Sequence, residues 1–499
     1  MSDFNIFIVV LYFTVLTILA IFGTHRYYLV YLYLKNRKNV ATPRSTFAPL
    51  PKVTIQLPMY NEMYVAERLI DAVIKMDYPR DLMQFQVLDD STDETVRIAA
   101  RRVEQYREQG FDISYIHRSN RKGFKAGALE EGMKTASGEF IAIFDADFVP
   151  NKNFLKNSIH FFTDPGVGMV QMRWSHLNRG FSLITNLQSI FLDGHFQIEH
   201  TARNRSGRFF NFNGTAGIWR KTAIIDGGGW QHDTLTEDLD LSYRTQMKGW
   251  TFIYLPDYSV PAELPVDVVA FKNQQHRWAK GSIQTAKKLL PIIFRSKLPL
   301  RVKTEAFFHL ASNMAYLLMV PLSMAILPVV ILRRNLNWNQ MILLDVPLFL
   351  LSTASVGAFY VISQKELYSN WTSCFKYLPL LMGLGIGLSI NNSFAVVEAL
   401  ANKESEFVRT PKFGIENKRE DWTRKKYKGN KKMLIPIIEL ILGIYFTCTV
   451  IISIMEGIWL TLPFLLLFQY GYLYISFLSF STLLRNRLML KKASVSIAN

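Results

Sequence analysis

The chain has 499 residues, of which 49% are hydrophobic and 19% charged, against roughly 25% charged in an ordinary soluble domain. With a mean hydropathy of +0.10, this composition excludes a disordered chain and a plain cytosolic enzyme, and the length leaves room for about three folding units. The net charge is +17 and the only cysteines are Cys374 and Cys448, so a disulfide framework and a thiolate zinc site are both ruled out.

Residues 6 to 23 carry no charge, close to the roughly 20 residues a helix needs to cross a bilayer core. The start Met1-Ser2-Asp3 lacks the basic residues of a secretory signal, and Arg26, Lys35, Arg37 and Lys38 follow the apolar run. The segment therefore reads as a spanning helix with its N-terminus outside, and residues 1–44 as that helix plus a cytoplasmic linker. From 45 to 300 charged residues and short alternating runs return, which marks a soluble domain.

Apolar stretches follow at about 306–332, 341–362, 375–400, 433–455 and 458–481. Counting all five as spans would place 401–432 outside, although that segment carries eleven Lys or Arg against five acids. Residues 371–402, interrupted by Asn391, Asn392 and Glu398, are therefore expected to lie as a helix in the cytoplasmic interface. Two spans are then expected in 301–370, the interfacial helix and a basic loop in 371–432, and two spans with a basic tail in 433–499. This arrangement accounts for the positive charge by topology and anionic lipid. The bilayer is the expected partner, and nucleic acid, for which no module pattern occurs, is not.

Within 45–300 the runs VTIQL, QFQVL, DISYI, EFIAIF and GVGMVQM alternate with helix-compatible stretches. This is the pattern of an α/β domain with a mostly parallel sheet. Ligands of such sheets bind beyond the carboxyl ends of the strands. Asp89 and Asp90 follow one run, and Asp145 and Asp147 follow Phe140-Ile-Ala-Ile-Phe144. Aspartate is common in any turn after a strand, but two such pairs at one sheet edge suit Mg²⁺ or Mn²⁺, which take one or two carboxylates plus substrate phosphates.

Lys125 stands between Gly123 and Gly127, where backbone can approach a phosphate, or where a lysine simply starts a helix. Thr236-Glu237-Asp238-Leu239-Asp240 reads as a capped first turn whose acids offset the dipole, and also as a rigid mount for a general base. Gln274-Gln275-His276-Arg277-Trp278 joins diphosphate-compatible groups to a flat apolar ring, although Trp and Arg also favour headgroup depth. His195 and Glu199 share a helical face that His200 does not, so the histidines are expected to be structural. Asn213-Gly214-Thr215 is formally a glycosylation sequon, unusable in a cytoplasmic domain.

Taken in order, PMYNE (58–62), VLDDSTD (87–93), FKAGAL (124–129), DADF (145–148), FNGTAGIWR (212–220), TEDLDL (236–241) and QQHRW (274–278) resemble the membrane-embedded family 2 glycosyltransferases. The closest resemblance is to the cellulose synthase-like A and C proteins, makers of mannan, glucomannan and glucan, and to bacterial cellulose synthase catalytic subunits. The resemblance covers about residues 50–480 and includes Phe407-Val-Arg-Thr-Pro-Lys412, similar to the family's gating loop, with Arg409 in place of Val.

It implies a GT-A-type, Rossmann-like domain inserted between transmembrane helices. It further implies that Pro58, Asn61, Glu62, Asp89, Asp90, Lys125, Gln274 and Arg277 bind the donor, and that Asp145 and Asp147 hold Mg²⁺ or Mn²⁺. Asp238 would be the base. Phe212, Asn213, Gly214 and Trp278 would meet the acceptor, and Phe407, Thr410 and Lys412 would gate the site. One base without a carboxylate nucleophile implies an inverting transfer from GDP-mannose or UDP-glucose to a growing β-glycan, which the enzyme also exports. The domain would face the cytoplasm at a plasma, inner or Golgi membrane, with an accessory subunit possible as partner. A single transfer to a lipid acceptor and a silent scaffold role are the competing readings.

Overall fold

The computed structural model describes residues 3–336, 339–404, 408–416, 420, 422, 425 and 433–498. Helix α1 (Asp3–Asn36) precedes the soluble domain, which runs β1 (Val53–Met59), α2 (Ala66–Ile74), β2 (Met83–Asp89), α3 (Thr95–Glu108), β3 (Ile113–His117), α4 (Phe124–Thr135), β4 (Phe140–Ile143), α5 (Phe154–Ser158) and β5 (Val167–His176). It continues through α6 (Leu183–Asp193), a π-helical turn (Gly194–His200), α7 (Thr201–Arg205), β6 (Gly217–Arg220), α8 (Lys221–Asp226), α9 (Glu237–Met247), β7 (Thr251–Ala262) and α10 (Val268–Arg295). The helical remainder is α11 (Leu300–Ala311), α12 (Met314–Leu336), α13 (Ile342–Leu367), α14 (Leu378–Gly387), α15 (Ser389–Leu400), α16 (Leu434–Met455) and α17 (Leu462–Ala498).

The seven strands form one sheet in the order β3-β2-β1-β4-β6-β5-β7. β1, β2, β3 and β4 pair in parallel, and β6 is antiparallel to both β4 and β5. Alternation along each strand sorts side chains between two cores. Phe140, Ala142 and Phe144 join α2 and α3 on one face, whereas Ile141 and Ile143 join α4 and Trp219 on the other. Because both faces are covered, β1 is buried at every position, as a central parallel strand must be. After β1 the chain winds outward to β2 and β3, then restarts on the opposite side with β4, so the crevice between β1 and β4 is a topological switch point. The GT-A-type fold is the one expected. Strands β6 and β7 lie outside the runs singled out in the sequence.

Among the described residues, five helices are long and apolar enough to cross a membrane, Asp3–Asn36, Met314–Arg333, Leu343–Leu367, Leu434–Met455 and Trp459–Arg485, or six if the bent pair Leu378–Gly387 and Ser389–Leu400 counts as one span. The segment expected to be a single interfacial helix is instead the pair α14 and α15, bent by 41°. Its polar interruptions face protein. Asn391 and Asn392 are buried, Asn391 Nδ2 donates to the Lys272 carbonyl at 2.9 Å, and Glu398 pairs with Lys280 at 3.1 Å. Helix α14 packs against α17 so closely that a Cβ on Gly387 would lie 2.4 Å from the Gly471 carbonyl oxygen, the small-residue contact typical of helices within membranes. Buried ion pairs fasten the soluble domain to the bundle: Lys272–Glu439 at 2.6 Å, and Arg203–Glu305 at 2.9 Å with His25 at 3.0 Å from the same carboxyl group.

Candidate active site

The site gathers at the carboxyl ends of β1, β2 and β4 and is closed from above by α9, α10 and residues 408–416. After β1, Pro58 is buried within the strand, and Asn61 ties two turns together. Its N–H donates to Ser91 Oγ at 2.7 Å, and its Oδ1 accepts from the Thr92 N–H at 2.8 Å. Glu62 meets Arg409 at 3.0 Å. Burial nevertheless pushes the Glu62 carboxyl up to about 8, with Arg409 pulling the other way.

The two aspartates after β2 divide their work. Asp89 is fully buried, accepting from Tyr115 Oη at 2.6 Å and from the Ser91 N–H at 2.9 Å, contacts that shape the turn. Asp90 instead takes a two-pronged contact from Arg118 at 2.8 and 2.6 Å, the geometry that guanidinium and carboxylate favour. Arg118, at the end of β3, was not singled out in the sequence; its position at the same sheet edge as Asp90 was the available signal.

Beyond β4, both aspartates of the D-x-D turn hold ammonium groups. Lys125 Nζ lies 2.5 Å from Asp145 Oδ1 and 2.9 Å from the Gly214 carbonyl oxygen, and Lys412 Nζ lies 2.5 Å from Asp147 Oδ2. Burial works to lower the Lys125 value, but the Asp145 and Glu237 carboxylates outweigh it and hold the ammonium above the usual lysine range. Burial raises Asp145. These two carboxylates are hard oxygen donors of the kind a divalent ion takes, and Lys125 and Lys412 hold the positions for which such an ion would compete. Among the described residues no group of three His, Cys, Asp or Glu could hold a metal by itself. An ion here would take further oxygens from a diphosphate, as Mg²⁺ commonly does.

Asp238 sits in the first turn of α9. Its Oδ1 accepts the Leu239 N–H at 2.8 Å. Burial, and then the neighbouring Glu237 carboxylate, raise the Asp238 carboxyl to about 7. Thr236, expected to cap the helix, makes no side-chain cap. Its hydroxyl lies 3.3 Å from Thr285 Oγ1, and its side chain fills the notch that Gly281 leaves on α10, which draws α9 against α10. Gly214 has φ of +80°, and a Cβ there would stand 3.1 Å from both Asp238 Oδ2 and Lys125 Nζ. Glycine thus lets the backbone pass between Asp238 and Lys125.

On α10, Gln274, Arg277 and Trp278 share one face by their spacing. Arg277 donates to the Val408 carbonyl at 3.0 Å. Burial lowers its value, while Glu237, Asp145, Asp238 and Asp147 pull it up, so the guanidinium faces all four acids. Thr410 is buried, and Phe407 lies outside the described residues.

Two expectations need correction. Phe212 is fully buried against Trp219. The extended backbone alternates its side chains, so Asn211 and Asn213 line the cavity and Phe212 points into the core. The α-helical spacing that separated His200 from His195 also fails. The π-helical turn Gly194–His200 brings the two rings to 4.3 Å, and Asn213 bonds both, His200 Nε2 at 2.5 Å and His195 Nε2 at 3.2 Å.

One cavity of about 460 Å³ starts at Asp238, Trp278, Asn213 and His195. It continues along Leu16 of α1, Leu322 of α12, Phe349 of α13, Ile386 of α14 and Phe468 of α17. The Asp238 carboxyl, the Trp278 ring and residues of α1, α12, α13, α14 and α17 therefore line one cavity.

Comparison with known proteins agrees with this layout. A family model described as glycosyltransferase like family 2 matches residues 51–281. The chain is similar to glucomannan 4-beta-mannosyltransferase 1 of Oryza sativa subsp. japonica, at 36% identity over 72% of this chain and 71% of that protein. It is also similar to glucomannan 4-beta-mannosyltransferase 1 of Cyamopsis tetragonoloba, at 33% identity over 79% and 75%. A mannosyltransferase from Pyrobaculum calidifontis, solved in complex with GDP-Man and Mn²⁺, shares the fold with a TM-score of 0.52 and 20% identity, over 78% of this chain and 100% of that one.

Proposed function

We propose, since this chain belongs to the membrane-embedded family 2 glycosyltransferases together with the glucomannan 4-beta-mannosyltransferases, that it transfers mannose from GDP-mannose to a growing β-mannan or glucomannan and passes the product through its own helices. The observation that carries the reading is the single cavity joining Asp238 and Trp278 to α1, α12, α13, α14 and α17.

Asp238 takes the proton from an acceptor hydroxyl. The freed oxygen attacks the sugar's anomeric carbon from the side opposite GDP, the bond to the diphosphate breaks, and an α-linked donor becomes a β-glycoside. Glu62, Asp90, Lys125 and Arg277 surround the nucleotide, and Trp278 carries the terminal acceptor ring on its face. Asp145 and Asp147 would hold Mg²⁺ or Mn²⁺, which would supply charge neutralisation to the departing diphosphate. Arg409, Thr410 and Lys412 close over the donor. The soluble domain faces the cytoplasm, a reading supported by the basic segment 401–432 and the positive residues after the first span.

Membranes carrying the protein, supplied with radiolabelled GDP-mannose and Mn²⁺, test this directly. A long product cut by β-mannanase supports the reading. A single-sugar product that partitions into chloroform, or no turnover with any nucleotide sugar, refutes it.

A further inference from the structure

Among the described residues two carboxylates line the cavity, Asp238 and Glu199. The transfer step uses the first and gives the second no part. Glu199 lies in the π-helical turn between α6 and α7, and both of its contacts fall on one oxygen: Oε2 accepts from Arg203 at 3.3 Å and meets His195 Nδ1 at 2.8 Å. These two contacts fix how the group points. Oε1 is left without a hydrogen-bond partner among the described residues, and the side chain keeps 23% of its surface accessible. With Oε2 covered from two sides, Oε1 is the end that opens on the cavity.

Burial works to raise the Glu199 carboxyl, but Arg203 and then His195 outweigh it and hold the group well below the usual carboxylate range, so the side chain is ionised. Arg203 does not saturate that charge, because it divides between Glu199 and the closer Glu305 at 2.9 Å. An ionised carboxylate oxygen open on a cavity takes a hydrogen-bond donor. A metal ion or an ammonium group is disfavoured by Arg203 alongside, and an anion by the carboxylate itself. A neutral hydroxyl meets neither objection. Arg26 also lines the cavity but makes no ion pair with Glu199, so the exclusion of anions is local to the group held at Glu199.

We propose that Glu199 is an acceptor-binding residue: its Oε1 accepts a hydrogen bond from a hydroxyl of a neutral sugar unit of the glycan inside the cavity, and an acidic unit at that position is rejected. The inference rests on the polymerase reading above and adds a selective contact to the path that the glycan takes into the bundle.

The test uses the full chain in nanodiscs with GDP-mannose, Mn²⁺ and β-1,4-manno-oligosaccharide primers, either neutral, lacking one hydroxyl, or carrying one mannuronate unit. Glu199→Gln should raise the neutral-primer KM about tenfold, the scale of a hydrogen bond to a charged group, with GDP binding unchanged. One monodeoxy primer should lose the same factor on the wild type and nothing further on the variant. A mannuronate at one position should be elongated poorly by the wild type and regain at least tenfold, relative to the neutral primer, on Glu199→Gln, a change that a purely structural role for the carboxylate would not produce. Should Glu199→Gln fold poorly, Glu199→Asp keeps the charge but draws the oxygen back, and should raise the neutral-primer KM while still rejecting mannuronate. A wild type that accepts mannuronate at every position, or a variant that raises the KM of all primers alike, overturns the assignment and leaves the polymerase reading intact. A wild type that elongates no primer yet loads mannose onto lipid overturns both.

Discussion

Lys412 Nζ lies 2.5 Å from Asp147 Oδ2 across 265 residues of sequence, and its neighbour Arg409 reaches Glu62 at 3.0 Å. The basic segment thus places its cations on the acids expected to meet metal and nucleotide. An ammonium and a divalent ion cannot share one carboxylate without mutual repulsion. Lys412→Ala should therefore raise the apparent Mn²⁺ affinity by roughly tenfold, the scale of a charge-assisted hydrogen bond, while slowing turnover. Titration by Mn²⁺ electron paramagnetic resonance reads the affinity directly, and an unchanged value would contradict competition at Asp147.

Asp238→Asn keeps the shape of the α9 turn and removes the proposed base. Transfer should fall by about 10² to 10⁴-fold, the contribution usual for a positioned general base, with GDP binding retained. Near-normal polymer synthesis would remove Asp238 from that role.

The same residue sets a pH dependence. Burial raises the Asp238 carboxyl to about 7, and a base works only when deprotonated. Activity should therefore be low below pH 7, rise as pH passes through about 7, and level off above it. Initial rates between pH 5.5 and 9, at saturating donor, would instead stay flat across that range if the carboxyl titrated as an exposed aspartate, near 4.

Trp278 lines the cavity beside Asp238 and packs against the core cluster that holds Trp219 of β6. Trp278→Ala should cut polymer formation by roughly tenfold, as expected for loss of an aromatic contact, and leave hydrolysis of the donor by water much less affected. Equal loss of both would place the ring elsewhere in the cycle.

Gly214→Ala forces a side chain into left-handed backbone at φ +80° and to 3.1 Å from Asp238 Oδ2 and Lys125 Nζ. The backbone alone costs about 1–2 kcal/mol, and the base is displaced as well. Thermal unfolding should shift down modestly and activity should drop more than stability does. An active, equally stable variant would mean the turn relaxes freely.

What the sequence alone determined is what acts over a few residues. Apolar runs long enough for a bilayer, such as 6–23, fall in helices long enough to span one, and short β-type runs marked β1 to β5. Asp89, Asp90, Asp145 and Asp147 fell at strand ends because a strand and its turn are encoded locally. What only the tertiary structure decided depends on partners distant in the chain. The bend between α14 and α15 follows from contacts with α10 and α17, and the π-turn at Gly194–His200 overrides ordinary helical spacing. Asp89 became a turn former because Tyr115 covers it, and Phe212 turned inward because Trp219 receives it. The cavity exists only where helices from both ends of the chain meet beside α9 and α10. Such relationships are set by packing, which no local pattern of residues records.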